Sequence, residues 1–145
     1  MIVFGVKYRD AVLSPRLREA LFQKICVVVA EYGRSSQVVA VGGVEDHVHV
    51  LVTLSSKISI EDLVREIKSR TSRWINKLPE YGMRFEWQRG YGAFSYSQSA
   101  RESVINYIAN QEEHHRRTSF REEMDRLFKL YDIKIDPRDL PETLE

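Results

Sequence analysis

Two Val-rich runs, residues 37–44 and 47–54, are separated only by Glu45-Asp46. So short a joint between two extended segments predicts an antiparallel hairpin. Gly42-Gly43 weakens the first run and marks either a bulge or a place where another part of the backbone comes close. The sequence on both sides supplies partners for this hairpin. Residues 2–8 read as a strand. Ser14 caps a helix with Pro15 at its first position, and Leu17, Leu21, Ile25, Val28 and Tyr32 recur at helical spacing until Gly33 closes it. Ser59 and Asp62 open a second helix on Ile60, Leu63, Val64, Ile67, Trp74, Ile75 and Leu78, ended by Pro79.

Residues 85–87 and 93–96 are strand-like, with Gly90 and Gly92 as a turn or joint between them. Ser99 and Glu102 have the spacing of a capping box for a third helix running through Tyr107 towards Arg117, and Ser119 with Glu122 opens a last helix ending near Tyr131. The order β-α-β-β-α-β followed by helices predicts an α+β fold. Its form is a ferredoxin-like single antiparallel sheet with helices on one face, plus a C-terminal helix that carries Tyr107. The expected organisation is one domain over residues 1–131 and an acidic tail over 132–145.

The 43% hydrophobic and 30% charged composition is that of a globular chain. No apolar stretch approaches the roughly 20 residues of a membrane span, and the first residues do not read as a signal peptide. The lone Cys26 lies in an apolar helical run and is expected to be a buried small hydrophobe, as suits a reducing cytoplasm. The formal net charge of +1 hides an asymmetry, because residues 132–145 hold two basic and five acidic side chains. On the second helix, Arg65, Lys68, Arg70, Arg73 and Lys77 face only Glu66. A stripe of this kind is expected either to meet nucleic-acid phosphates or to be a solvated helix face.

Chemistry concentrates at two places. His47 and His49 lie two apart on a strand and so project from the same face, with Val48 on the other. Tyr107 and Gln111 lie four apart on a helix and emerge together, with His114 continuing their stripe. Two imidazoles and an amide oxygen can hold a divalent cation with open positions, which suits Mg²⁺ or Mn²⁺ on phosphate oxygens better than structural zinc. A phenol beside that cation can attack a phosphate, and this points to nucleic-acid strand transfer. The plain alternatives are a structural histidine pair on a sheet face and a half-buried packing tyrosine. His114-His115 and Arg116-Arg117 suit a basic last helical turn or contacts with phosphates. There is no Walker loop, nucleophile elbow or Cys/His zinc pattern.

The run Trp87-Gln88-Arg89-Gly90-Tyr91-Gly92-Ala93-Phe94-Ser95 followed by Tyr107-Ile108-Ala109-Asn110-Gln111-Glu112-Glu113-His114-His115-Arg116 resembles the insertion-sequence single-tyrosine transposases, the transposase A proteins of the IS-two-hundred/IS-six-hundred-and-five kind. Lys7-Tyr8-Arg9 with Val12-Leu13, and Asp46-His47-Val48-His49-Val50, match in the same order, so the resemblance spans about residues 2 to 131. It implies an HUH nuclease in which His47, His49 and Gln111 bind the metal and Tyr107 is the nucleophile. It further implies single-stranded DNA with hairpin ends as substrate, and a homodimer with the site shared between subunits. The polar residue common early in the family's first strand is absent here. The rival readings are a domesticated hairpin-processing or nicking relative using the same site, and a non-catalytic ferredoxin-like module that stacks bases on Phe94 and Tyr96.

Overall fold

The caps expected from sequence set the first two helices. The Ser14 hydroxyl accepts from the Leu17 amide ahead of α1 (Pro15–Tyr32), and the Gly33 amide closes that helix on the Val29 carbonyl. Ser59 likewise accepts from the Asp62 amide and starts α2 (Ile60–Asn76), whose first turn carries Glu61 and Asp62. The structure is a computed structural model and describes residues 1–115 together with Glu122 and Arg126. The strands are β1 (Ile2–Gly5), β2 (Gln37–Gly43), β3 (His47–Thr53) and β4 (Gly92–Ala93), and α3 (Arg101–Ala109) and α4 (Gln111–His115) follow. The sheet order is β2-β3-β1-β4, antiparallel throughout, which is the expected ferredoxin-like α+β arrangement. Most of the expected last helix and the acidic tail 132–145 lie outside the described residues.

The period of two along β1 and β3 sorts their side chains into two cores. Ile2, Phe4, Val48 and Val50 join Leu21, Ile25 and Val28 of α1 and Leu63, Ile67 and Ile75 of α2 on one face. Val3 and Leu51 on the other face meet Val104 and Ile108 of α3, with Met1 and Phe94. Both faces of β3 are therefore covered, with α1 and α2 on one side and α3 on the other.

Several local expectations give way to tertiary packing. Residues 85–87 form no strand of their own. They run beside the end of β1 through the single bridge between Val6 and Trp87 and the bonds from Lys7 N to Glu86 O and from Gln88 N to Gly5 O. Three residues separate Gln88 from Gly92 where only Phe4 separates their β1 partners Gly5 and Val3, so residues 89–91 loop outward and Gly90 takes φ +81°. The Ser99–Glu102 capping box does not form. Ser99 lies in a 3₁₀ turn at Gln98–Ala100 with its hydroxyl 2.9 Å from that of Ser97, and Ala100 caps α3 instead. Cys26 is exposed rather than buried, because Ile25, Val28 and Val29 already occupy the inward arc of α1 and residue 26 falls outside it.

Gly42 opposes His49 in the β2–β3 ladder, where α3 crosses the sheet. A Cβ on Gly42 would lie 2.5 Å from the Ile108 carbonyl oxygen and 2.9 Å from Ile108 Cγ2. The expectation of a close backbone approach is met here, while the irregularity of β2 falls elsewhere, between Val38 and Ala40. Replacing Gly42 by Ala is expected to push α3 off the sheet. Urea denaturation should show a loss of about 1–3 kcal/mol, the usual cost of overpacking, and an unchanged midpoint would show that α3 yields freely.

Candidate active site

His47 and His49 occupy alternate positions of β3, opposite Gly5 and Val3 of β1, and both are fully buried on the face covered by α3. Their ring centroids lie 5.2 Å apart. Gly42 on the other side of His49 has no side chain, so α3 descends close enough to bring Tyr107 to the histidines. The Tyr107 ring stands perpendicular to that of His49 at 5.6 Å between centroids, with its hydroxyl buried.

The Asp46 carboxylate accepts from His47 Nδ1 at 2.7 Å. A proton held at Nδ1 places the lone pair on Nε2, the arrangement by which a carboxylate orients a metal-binding imidazole. Asp46 is itself anchored, since its carbonyl accepts from the Val6 amide at 2.8 Å. Its role is legible in principle as an acid directly before the first histidine, although periodicity alone does not reveal it.

Tyr107 and Gln111 do not share one continuous helix as expected. α3 ends at Ala109, Asn110 departs to φ −100° and ψ 20°, and Gln111 begins the short α4. Gln111 is nevertheless 1% exposed, and its Nε2 donates to the Tyr107 carbonyl at 3.2 Å. Because a carbonyl can only accept, this bond identifies the nitrogen end of the amide. Oε1 is left buried without a hydrogen-bond partner among the described residues. A buried amide oxygen in that state is costly unless something electropositive meets it. Among the described residues no three His, Cys, Asp or Glu side chains converge on a metal position. Two imidazoles and an amide oxygen fit a cation that keeps open positions for oxygen ligands. His49 and Tyr107 meet within a single chain, so the described conformation brings them together without the expected exchange of a helix between subunits. The side chains of His114 and His115 lie outside what is described.

The five basic residues do not join this constellation. They belong to α2, which packs on the opposite face of the sheet from the histidines. Arg65 pairs with Asp62 and Glu61 on its own helix. Arg70 bonds Glu66 at 2.6 Å and lies over the Tyr32 ring at 3.3 Å from the centroid. Arg73 donates to the Ser69 hydroxyl, and Lys77 caps the helix. Lys68 turns inward, donating to the carbonyls of Gln88 at 2.7 Å and Gly90 at 2.5 Å, the loop that bulges from the edge of the sheet. Phe94, expected as a stacking platform in the binding-module reading, is buried at 5% exposure.

The sheet order and the helices on its two faces define an α+β fold shared with two transposase structures. One is a candidate transposase from Deinococcus radiodurans R1, 24% identical over 76% of this chain and 87% of that one, with a TM-score of 0.56. The other is a REP-associated tyrosine transposase bound to a REP hairpin, 20% identical over 79% of this chain and 66% of that one, also with a TM-score of 0.56. No protein of curated function matches the sequence. The family model described as "Transposase IS200 like" matches residues 1–111, and the chain belongs to that family.

Burial lowers the Lys68 pKa from 10.5 to about 8. Between those values the unfolded chain binds a proton that the folded protein has released, so this group adds stability as pH rises from about 8 towards 10.5. Compared with a Lys68→Met variant, the wild type is expected to gain stability across that window. Denaturation midpoints that shift in parallel for the two proteins would rule this out.

Proposed function

We propose that the protein cuts and rejoins single-stranded DNA through a covalent tyrosine intermediate, with Tyr107 as nucleophile and His47, His49 and Gln111 as ligands of Mg²⁺ or Mn²⁺. The observation that carries this reading is the buried juxtaposition of Tyr107 with His49, with the Gln111 amide buried against the Tyr107 carbonyl. A non-catalytic stacking module has no use for that arrangement, and it would need Phe94 on the surface. Membership of the transposase family supports the same conclusion. Among the described residues no helix is long and apolar enough to cross a membrane. The cytoplasm, where the DNA lies, is the proposed compartment.

The chemistry follows from the side chains. A bound divalent cation would supply charge stabilisation at the scissile phosphate. Asp46 fixes the His47 ring, and Gln111 fixes its own amide on the backbone of the nucleophile's helix. A phenol is a weak nucleophile until its proton is taken. As the Tyr107 oxygen bonds to phosphorus, the bond from phosphorus to the 3′ oxygen breaks. That oxygen leaves as a 3′-hydroxyl, and the DNA stays attached through its 5′ phosphate. The bond energy is retained in the phosphotyrosine, so another 3′-hydroxyl can attack it and join new ends without ATP. The phosphate has to bend into a covered cleft, which calls for an unpaired strand. The proposed substrate is single-stranded DNA carrying hairpins at the element's ends, as the REP hairpin in one structural relative suggests. The same chemistry on repeat hairpins would define a domesticated processing enzyme, and the substrate sequence separates the two. The basic residues Arg65, Lys68, Arg70, Arg73 and Lys77 are proposed as a DNA-contacting set, of which Lys68 is engaged with the 88–90 loop.

Tyr107→Phe removes one hydroxyl and keeps the ring, so it is expected to abolish the covalent protein–DNA adduct while hairpin binding persists. Denaturing electrophoresis with labelled single-stranded DNA reads this directly, and an adduct that survives would take Tyr107 out of the nucleophile's role. His47→Ala, His49→Ala and EDTA should each stop cleavage, with Gln111→Ala milder because water can replace an amide ligand. Cleavage unaffected by chelation would end the metal assignment.

A homodimer is part of the proposal, with each site built inside one chain as the His49–Tyr107 contact suggests. Verified heterodimers of Tyr107→Phe and His49→Ala chains should then stay inactive, since every site carries a lesion. Recovered cleavage would establish sites shared between subunits.

A further inference from the structure

We propose that Arg18 is a positioning residue that holds Gln111 in the active site through Glu112 and couples it to the segment bearing His47. The inference rests on the reading of Gln111 as a metal ligand and explains what keeps it in place. Gln111 lies beyond the break at Asn110, on a helix of five residues. So short a helix has almost no stability of its own. Between it and α1 lies a cleft of about 490 Å³, lined by Pro15, Arg18, Gly42 and Asn110 among others, so apolar packing does not close it there.

What crosses to it from α1 is a guanidinium. Arg18 is only 8% exposed in the first turn of α1, where an apolar residue would serve packing better. Burying that charge costs several kcal/mol unless both arms of the fork are satisfied. They are satisfied in two directions. Nη1 donates to the Leu13 carbonyl at 2.9 Å, and Nη2 donates to Glu112 Oε1 at 2.7 Å. The first anchor is rigid, since Leu13 is fully buried and its amide donates to the Glu45 carbonyl at 2.9 Å. Glu45 precedes Asp46, whose carboxylate orients His47. One side chain thus joins the turn before the histidines to the residue after Gln111, across 94 positions of sequence. The Glu112 side chain is 67% exposed, and a pair of two such exposed groups would contribute little. Here its partner is buried and fixed, so the bond sets where α4 sits.

The test measures Mn²⁺ affinity by calorimetry, and amide hydrogen exchange over residues 110–113 in metal-free protein, for Arg18→Met, Glu112→Gln and Gln111→Ala. Arg18→Met and Glu112→Gln should each weaken Mn²⁺ binding by about tenfold, the low end of what residues supporting a ligand contribute. Both should also speed exchange at 110–113. In a Gln111→Ala background neither should weaken Mn²⁺ further, because the effect travels through Gln111. Glu112→Gln alters an exposed group and keeps the test open should Arg18→Met fail to fold. If Glu112→Gln matches wild type in affinity and exchange, or if the losses persist undiminished in the Gln111→Ala background, Arg18 has no such role. Wild-type Mn²⁺ affinity in Gln111→Ala would instead remove Gln111 from the ligand set, a different failure from loss in Gln111→Ala with none in Glu112→Gln.

Discussion

Everything in this molecule hangs on β3 being covered on both faces. A strand with period two can send Val48 and Val50 into one core and His47 and His49 towards another only if each face is shielded from water. α1 and α2 shield the first face, and α3 shields the second. Histidines with no cover would be solvated side chains, free to rotate and poor at organising a cation. Under α3 they are held, and the polar groups buried with them make up the candidate site.

The cover works because its neighbours are small where it lands. Gly42 lets the backbone of α3 approach the sheet at Ile108, one residue past Tyr107, and Gly5 stands opposite His47. Close approach at Ile108 is what converts a helix lying on a sheet into a tyrosine lying on a histidine. The same surface then ends abruptly at Asn110, and the chain turns before Gln111. A straight helix would carry Gln111 along its own axis. The break, with Arg18 bonded to Glu112 from α1, leaves the amide buried beside the Tyr107 backbone.

Charge plays two separate parts on the two sides of the sheet. On the α2 side Arg65 and Arg70 are balanced locally by Glu61, Asp62 and Glu66, and Lys68 holds together a loop whose carbonyls have left the ladder. Around the candidate site, Asp46 bonds the His47 ring and Arg18 reaches from α1 to Glu112 of α4. A charge count along the helix could not distinguish a phosphate-facing stripe from one that serves its own fold.

Local chemistry made much of this legible from sequence. Ser14, Pro15 and Gly33 bounded α1, Ser59 opened α2, the Glu45-Asp46 joint turned the hairpin, and alternation put both histidines on one face. These features act through neighbours within about one helical turn or across a two-residue joint, and sequence spacing reports such distances directly. Contacts between distant parts of the chain decided the rest. Ser99 fell within a 3₁₀ turn and Ala100 took the cap position of α3, residues 85–87 became a fringe on β1, and Cys26 fell outside the buried arc of its helix. The break at Asn110 and the Arg18–Glu112 pair belong with them. Which arc of an amphipathic helix is buried, and where a helix may stop, depends on what packs against it. That information lies in residues tens of positions away, and only the folded chain brings them together.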